Sequence, residues 1–304
     1  MASLQTVAGI IPACVTPFHA DGALDLDALD RLLAWQIEAG VAGLFVTGTS
    51  GEFWALSADE KESVWRRAVA TAAGRAPVFA GTCANSTREA VDLARRAEAC
   101  GVDAVTVLTP MAVNLSQAEL AAHFGAVAAA VDVAVLLYSN PRLTGMTIAP
   151  ETAGRVADAH ANVRGIKDSS GALESVRAFV EGAPDGFAVL NGYDAGILPA
   201  LAAGASGAVA ASANAIPGLC VDLYRRFRRG DRPGAAAVQE RVAAFRRAWS
   251  LGTPPSVIKA GAALAGIEVG PPRAPVQPLD DGAVGRLADV MRAIGADVAG
   301  SEPI

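Results

Sequence analysis

The strongest constraint on this chain is a rhythm. Short apolar runs alternate with longer amphipathic stretches over most of its length. The runs are residues 9–18, 43–48, 77–84, 104–110, 133–141, 163–170, 187–193 and 207–214. They are mostly bounded by Gly or Pro and are apolar on both faces, which is the pattern of parallel strands buried on two sides. Between them lie helical patterns such as residues 24–40, 57–74 and 86–101. Several begin at a Ser or Asp cap and end at Gly, and Ser57 to Glu60 has capping-box spacing. Eight strands alternating with eight helices is the arithmetic of an α/β (β/α)8 TIM barrel. The eighth helix is expected to end near Gly230, so residues 1–230 form the barrel. Residues 231–304 form a C-terminal helical extension with patterns at 233–250, 255–266 and 281–297.

Composition narrows the classes further. Hydrophobic residues make up 52% of the chain and charged residues 18%, enough for a large core and contrary to a disordered state. No apolar run is long enough to span a membrane, and the net charge of −6 speaks against a nucleic-acid-binding surface. Cys14, Cys83, Cys100 and Cys220 are widely spaced and read as free, buried thiols of a cytoplasmic protein. His19, His123 and His160 form no ligand-spaced cluster, so no metal is expected. The N-terminus lacks a basic segment and is interrupted by Pro12 and Pro17, unlike a signal peptide. Of 25 basic residues only three are lysines: Lys61, Lys167 and Lys259. A lysine kept in such a chain points to chemistry that an undeprotonatable guanidinium cannot perform. Drift alone is the other explanation.

In a TIM barrel the active site lies at the C-terminal ends of the strands. Those ends carry Gly48 to Glu52, Tyr138 to Pro141, Lys167 to Ser170, Asn191 to Asp194 and Ser212 to Asn214. Lys167 ends a buried strand and aims into the barrel mouth. Burial there disfavours the ammonium and frees the amine to attack a carbonyl. Position alone equally allows a lysine paired with Asp168 or with a helix terminus. Tyr138 ends the neighbouring strand, where its hydroxyl can shuttle a proton or simply be a satisfied core phenol. The Gly48–Gly51 turn offers two hydroxyls and free N–H groups able to hold a carboxylate, or it is an ordinary βα turn. Lys61 sits in the charged stretch DEKESVWRR and is expected to be a solvated surface residue. Lys259, in the appended helices, is expected to be structural or to stand behind the barrel mouth.

Taken together, GTSGE after strand two, Tyr138-x-x-Pro141 with Thr144-Gly145 after strand five, and GIKD at strand six come in a telling order and spacing. The sequence resembles the dihydrodipicolinate synthase / N-acetylneuraminate lyase family of class I, Schiff-base aldolases over nearly its whole length. The resemblance implies that Lys167 condenses with the keto group of pyruvate or a larger 2-oxo acid and that Tyr138 shuttles protons. It implies that the N–H groups of Thr49 and Ser50 hold the carboxylate, with the Thr49 hydroxyl in the relay. Gly192, Val209, Asn140 and Asp194 complete the expected substrate-binding set. The imine is itself the electron sink, so no cofactor or metal is expected. The resemblance further implies a homo-oligomer, tetramer or dimer, with no nucleic-acid or membrane partner.

Departures from the family bear on the substrate. In the synthases an Arg two residues after the strand-five Pro binds the aldehyde partner's carboxylate. Here that position is Leu143, with Arg142 one place earlier. A Tyr pair after the strand-four Pro is replaced by Met111-Ala112. These changes predict a roomier, less anion-selective mouth. The Glu that follows Gly-Tyr-Asp in sialic-acid lyases is Ala195, and their Ser after strand eight is Ala211. Asp194, Asn214, Ser139, Asn140 and Trp54 remain as candidates to line a pocket or as turn residues. The leading expectation is aldol cleavage or condensation of a 2-oxo acid. The alternatives are dehydration of a 2-keto-3-deoxy sugar acid, a 4-hydroxy-tetrahydrodipicolinate synthase with a displaced anchor, and a non-catalytic 2-oxo-acid-binding relative.

Overall fold

The computed structural model describes residues 7–299; the first six residues, read above for a leader, and residues 300–304 lie outside it. Each apolar run yields one strand: β1 (Gly9–Pro12), β2 (Leu44–Val46), β3 (Val78–Gly81), β4 (Ala104–Leu108), β5 (Ala134–Ser139), β6 (Val163–Asp168), β7 (Ala188–Asn191) and β8 (Gly207–Ala210). All pair in parallel in the order β1-β8-β7-β6-β5-β4-β3-β2. A bridge between Ala13 and Phe45 brings the β1 end of this order to β2 and closes the ring. The connections are helical: α1 (Leu26–Glu38), α2 (Ala58–Ala72), α3 (Thr87–Ala99), α4 (Gln117–Ala128), the short α5 (Pro141–Thr144) with α6 (Pro150–Ala159), α7 (Leu173–Glu181), α8 (Ile197–Ala202) and α9 (Pro217–Arg228). The fold is a (β/α)8 TIM barrel. It is followed by α10 (Arg232–Arg247), α11 (Pro254–Leu264) and α12 (Asp281–Ala293).

The helix starts follow their caps. Ser57 and Ser116 each close a full capping box, with Glu60 and Glu119, while Asp25 and Ser86 accept single N–H bonds at the starts of α1 and α3. Every strand stops short of the end of its apolar run, and the ends of β8 and β5 show why. Residues 211–214, expected to end strand eight, form a 3-10 turn. Two buried polar side chains fix that turn: Asp194 accepts the Ser212 N–H at 2.6 Å, and the Asn214 amide donates to the Ala13 and Ala211 carbonyls. After β5, Pro141 sits at the first position of α5, where its missing N–H costs nothing.

Strand alternation splits the core in two. Ile10, Leu44, Val105, Leu137 and Ile166 face outward against helix residues such as Leu33, Trp65, Leu93 and Phe124. Ile11, Phe45, Phe79, Leu136, Leu190 and Val209 fill the barrel interior. Lys61 departs from expectation: it is only 6% exposed. Val64, Trp65 and Ala68 are buried on α2 at three, four and seven residues beyond it. Lys61 therefore extends the inward stripe of the helix, which its charged sequence neighbours disguise.

The seam between β1 and β8 is made by glycine. Gly9 and Gly207 pair in register, and a Cβ on Gly207 would lie 2.1 Å from the Gly9 carbonyl oxygen. Gly207→Ala must push the two strands apart and is expected to cost about 1–3 kcal/mol. Denaturant unfolding measures this; an unchanged midpoint would mean that the seam has slack.

Candidate active site

The C-terminal ends of the strands surround a cavity of about 360 Å³. Lys167 rises from β6 opposite Tyr138 of β5, its register partner. Both are nearly fully buried. The Lys167 Nζ stands 3.9 Å from the centroid of the Tyr138 ring and 4.7 Å from that of Phe45, an electron-rich surround for a cation. Asp168 is turned elsewhere: its carboxylate accepts from the Ser170 N–H and hydroxyl, so it does not neutralise Lys167.

The Tyr138 phenol lies 3.2 Å from the Thr49 hydroxyl and accepts a 3.1 Å bond from the Asn140 amide. Burial alone would raise this phenol. The Lys167 charge and the polar contacts of Thr49, Lys167 and Ser169 outweigh burial and hold it below the ordinary tyrosine value. A phenol so held can give and take a proton beside the amine.

Thr49 and Ser50 belong to a turn built under strain. Thr47 and Glu52, neither of them glycine, have φ of 54° at its two ends. Such residues cost on the order of 1–3 kcal/mol each and persist only where their surroundings impose them. The Thr47 hydroxyl accepts from the Trp65 indole and donates to the Gly81 carbonyl, while Thr16 donates to the Gly51 carbonyl. Among the described residues, the N–H groups of Thr49 and Ser50 donate to no protein acceptor. They lie on the cavity wall, free for an anion.

Val209, Gly192, Asn140, Asp194 and Trp54 also line the cavity. At Gly192 space is tight: a Cβ would lie 2.0 Å from the Ser169 Oγ and 3.1 Å from the Asp168 carbonyl oxygen, so Ser169 would have to turn to admit it. Asn214 and Ser139 do not line it. The first is occupied in holding Ala13, Val15 and Ala211, and the second has its hydroxyl turned to the Ile148 N–H. Asp194 is committed to the Ser212 N–H, and its burial raises the carboxyl.

The outer mouth differs from the sequence reading. Leu143 lines it as expected, but so do two guanidiniums, Arg142 after β5 and Arg246 from α10. Arg246 stacks on Trp249 at 4.1 Å and Tyr193 at 5.5 Å. Among the described residues it forms no ion pair within 4 Å, with Asp194 its electrostatic neighbour. The mouth thus carries two cations where the sequence reading expected little selectivity for anions. Nothing in the local sequence marks Arg246, since its position depends on how the extension packs over the barrel. Among the described residues no group of three or more His, Cys, Asp or Glu is placed to hold a metal ion, and no helix is long and apolar enough to cross a membrane. The four cysteines are free and buried.

A TIM barrel with a lysine amine, a phenol and an anion-ready turn at its mouth defines a Schiff-base lyase. The chain belongs to the Dihydrodipicolinate synthetase family, which it matches over residues 6–294. It is 41% identical over 275 residues to a 4-hydroxy-tetrahydrodipicolinate synthase of Xanthomonas axonopodis pv. citri, covering 90% of each chain. It is 36% identical over 272 residues to the enzyme of the same name from Methanopyrus kandleri, covering 89% of this chain and 91% of that one. Among solved structures it resembles YagE, a prophage protein of the dihydrodipicolinic acid synthase family from E. coli K12, in complex with pyruvate. The TM-score is 0.92 at 34% identity, with 95% and 98% of the two chains covered.

The Tyr138 environment is testable without a substrate. Replacing Lys167 by Met removes the cation and leaves the burial, so the phenol must titrate at higher pH. Phenolate absorbance should show one early transition that is absent from Tyr138→Phe and delayed in Lys167→Met. Coincident curves for the wild type and Lys167→Met would refute the coupling.

Proposed function

We propose that this enzyme makes or breaks a carbon–carbon bond next to the keto group of pyruvate, through an imine on Lys167. The observation that carries this is the pairing of the Lys167 amine with the Tyr138 phenol, itself bonded to Thr49. The Lys167 amine attacks C2 of pyruvate. Tyr138 passes protons so that the carbinolamine oxygen leaves as water. The resulting iminium draws electrons from C3, and loss of a C3 proton gives the enamine. The enamine carbon then bonds to an aldehyde carbon, whose oxygen takes a proton from Tyr138. Hydrolysis of the new imine frees the product, and the same steps reversed are aldol cleavage. The iminium serves as the electron sink, so the reading calls on no metal or organic cofactor. The keto acid's carboxylate is held by the Thr49 and Ser50 N–H groups, with Gly192 and Val209 forming the opposite wall.

For the aldehyde component the reading favours an acid. Arg142 and Arg246 supply two positive charges at the outer mouth, a displaced substitute for the guanidinium missing at Leu143. This supports the synthase reading suggested by the names of the relatives. A cytoplasmic homo-oligomer is part of the same reading, supported by the family to which the chain belongs.

Covalent trapping, a substrate panel and two variants test the proposal. Incubation with pyruvate and borohydride should add one reduced pyruvate to the wild type and none to Lys167→Ala; an adduct that survives the substitution would end the imine reading. A panel containing aspartate semialdehyde, neutral aldehydes and 2-keto-3-deoxy sugar acids should then give carbon–carbon chemistry. Water loss without pyruvate turnover would identify a dehydratase instead. In the productive reaction Tyr138→Phe should lower kcat about 10²–10⁴-fold. Arg246→Leu should raise KM about tenfold or more for the acidic aldehyde and leave KM for pyruvate unchanged.

A further inference from the structure

Glu52 is the last residue of the turn that carries Thr49 and Ser50, and its side chain is fully buried. One carboxylate oxygen meets the Lys259 Nζ at 2.8 Å, and the other accepts the Arg273 backbone N–H at 2.9 Å. Both partners come from the segment after the barrel. Lys259, also buried, further donates to the Pro271 carbonyl at 2.9 Å. The Arg273 side chain donates to the Gly22 and Ala55 carbonyls and pairs with Glu60. The Lys259 ammonium and the Arg273 guanidinium each stand 4.2 Å from the Phe18 ring centroid. The left-handed conformation of Glu52 is thus gripped at both carboxylate oxygens by residues more than 200 positions later in the chain. The backbone N–H of Glu52 bonds to the Thr49 carbonyl, so the grip passes directly to the turn.

We propose that Lys259 is a positioning residue for the keto acid: through Glu52 it holds the Thr49–Ser50 turn so that its N–H groups meet the substrate carboxylate. This rests on the reading of that turn as the carboxylate site. Lys259 touches no reacting atom. Burial pulls its ammonium down to about 8 against the opposing pull of Glu52. A neutral side chain of similar length leaves Glu52 buried without its cation, and the turn is released.

The test compares pyruvate with methyl pyruvate, which keeps the keto group but not the free carboxylate. Imine formation is followed by borohydride trapping and mass measurement in the wild type and in Lys259→Met. A second variant, Glu52→Gln with Lys259→Met, removes both buried charges and so avoids an unpaired one. In both variants the half-saturating pyruvate concentration should rise about tenfold or more, because a small misplacement of binding groups is costly. Half-saturation by methyl pyruvate should stay within about twofold of the wild type, because its neutral ester draws far less on the N–H groups of the turn than a carboxylate does. Unchanged pyruvate saturation, or an equal penalty on both compounds, overturns the positioning role while leaving the imine intact. Failure of both variants to fold overturns it as well and makes the pair a stability element. Absence of any adduct on the wild type removes the imine reading itself, and this inference with it.

Discussion

Closing eight parallel strands into a ring turns alternate residues inward at fixed levels, and everything at the barrel mouth depends on that. In β5 the inward positions are Ala134, Leu136 and then Tyr138; in β6 Lys167 ends the same alternation. The lower levels are filled by Ile11, Phe45, Phe79, Leu190 and Val209, which leave only a small apolar gap beneath the amine. The amine therefore emerges where the apolar layers stop, against aromatic faces on one side and an open cavity on the other. Tyr138 is satisfied at that same level by Thr49 and Asn140, so a small polar network rests on a largely apolar floor.

The part of this arrangement legible in the sequence is the part governed by period two. Each run holds one strand, and the strand ends place Lys167, Tyr138, Thr49 and Ser50 around one mouth. Periodicity says less about where a strand yields to a turn. Residues 211–214 leave the ladder because Asp194 and Asn214 capture their backbone, a contact across the fold rather than along it. The same holds for Asn214 and Ser139: they have the right chemistry for a pocket but are spent on backbone groups. Arg246 was invisible for the opposite reason. It looks like any arginine of an amphipathic helix until α10 is seen packed beside the mouth, with Trp249 and Tyr193 to stack on.

The division at residue 230 is therefore one of topology and not of chemistry. Arg246, Lys259 and Arg273 all follow the last barrel helix, yet one lines the cavity and two grip the β2 turn. A buried ion pair such as Glu52–Lys259 gains little net stability, because desolvating two charges offsets most of their attraction. What it supplies is discrimination between conformations. In its left-handed conformation Glu52 brings one oxygen to the Lys259 ammonium and the other to the Arg273 N–H. An apolar pair of equal volume would fill the space without saying which way the turn must face.

The three lysines bring these threads together. All are buried, at 6% exposure for Lys61, 4% for Lys167 and 2% for Lys259, while the surface and mouth cations are arginines. A guanidinium is broad, planar and permanently charged, which suits partly exposed pairs such as Arg67–Asp30 and Arg96–Glu62. An ammonium is a compact point charge on a slim stem and can shed its proton when surroundings demand. At Lys259 compactness matters, since Glu52, Pro271 and Phe18 converge on one atom. At Lys61 burial without an ion pair among the described residues already weakens the charged form. At Lys167 the nucleophile must be an amine, and no arginine can stand in. The scarcity of lysine thus tracks burial first and chemistry second: every described arginine meets some water, and the three lysines are all buried.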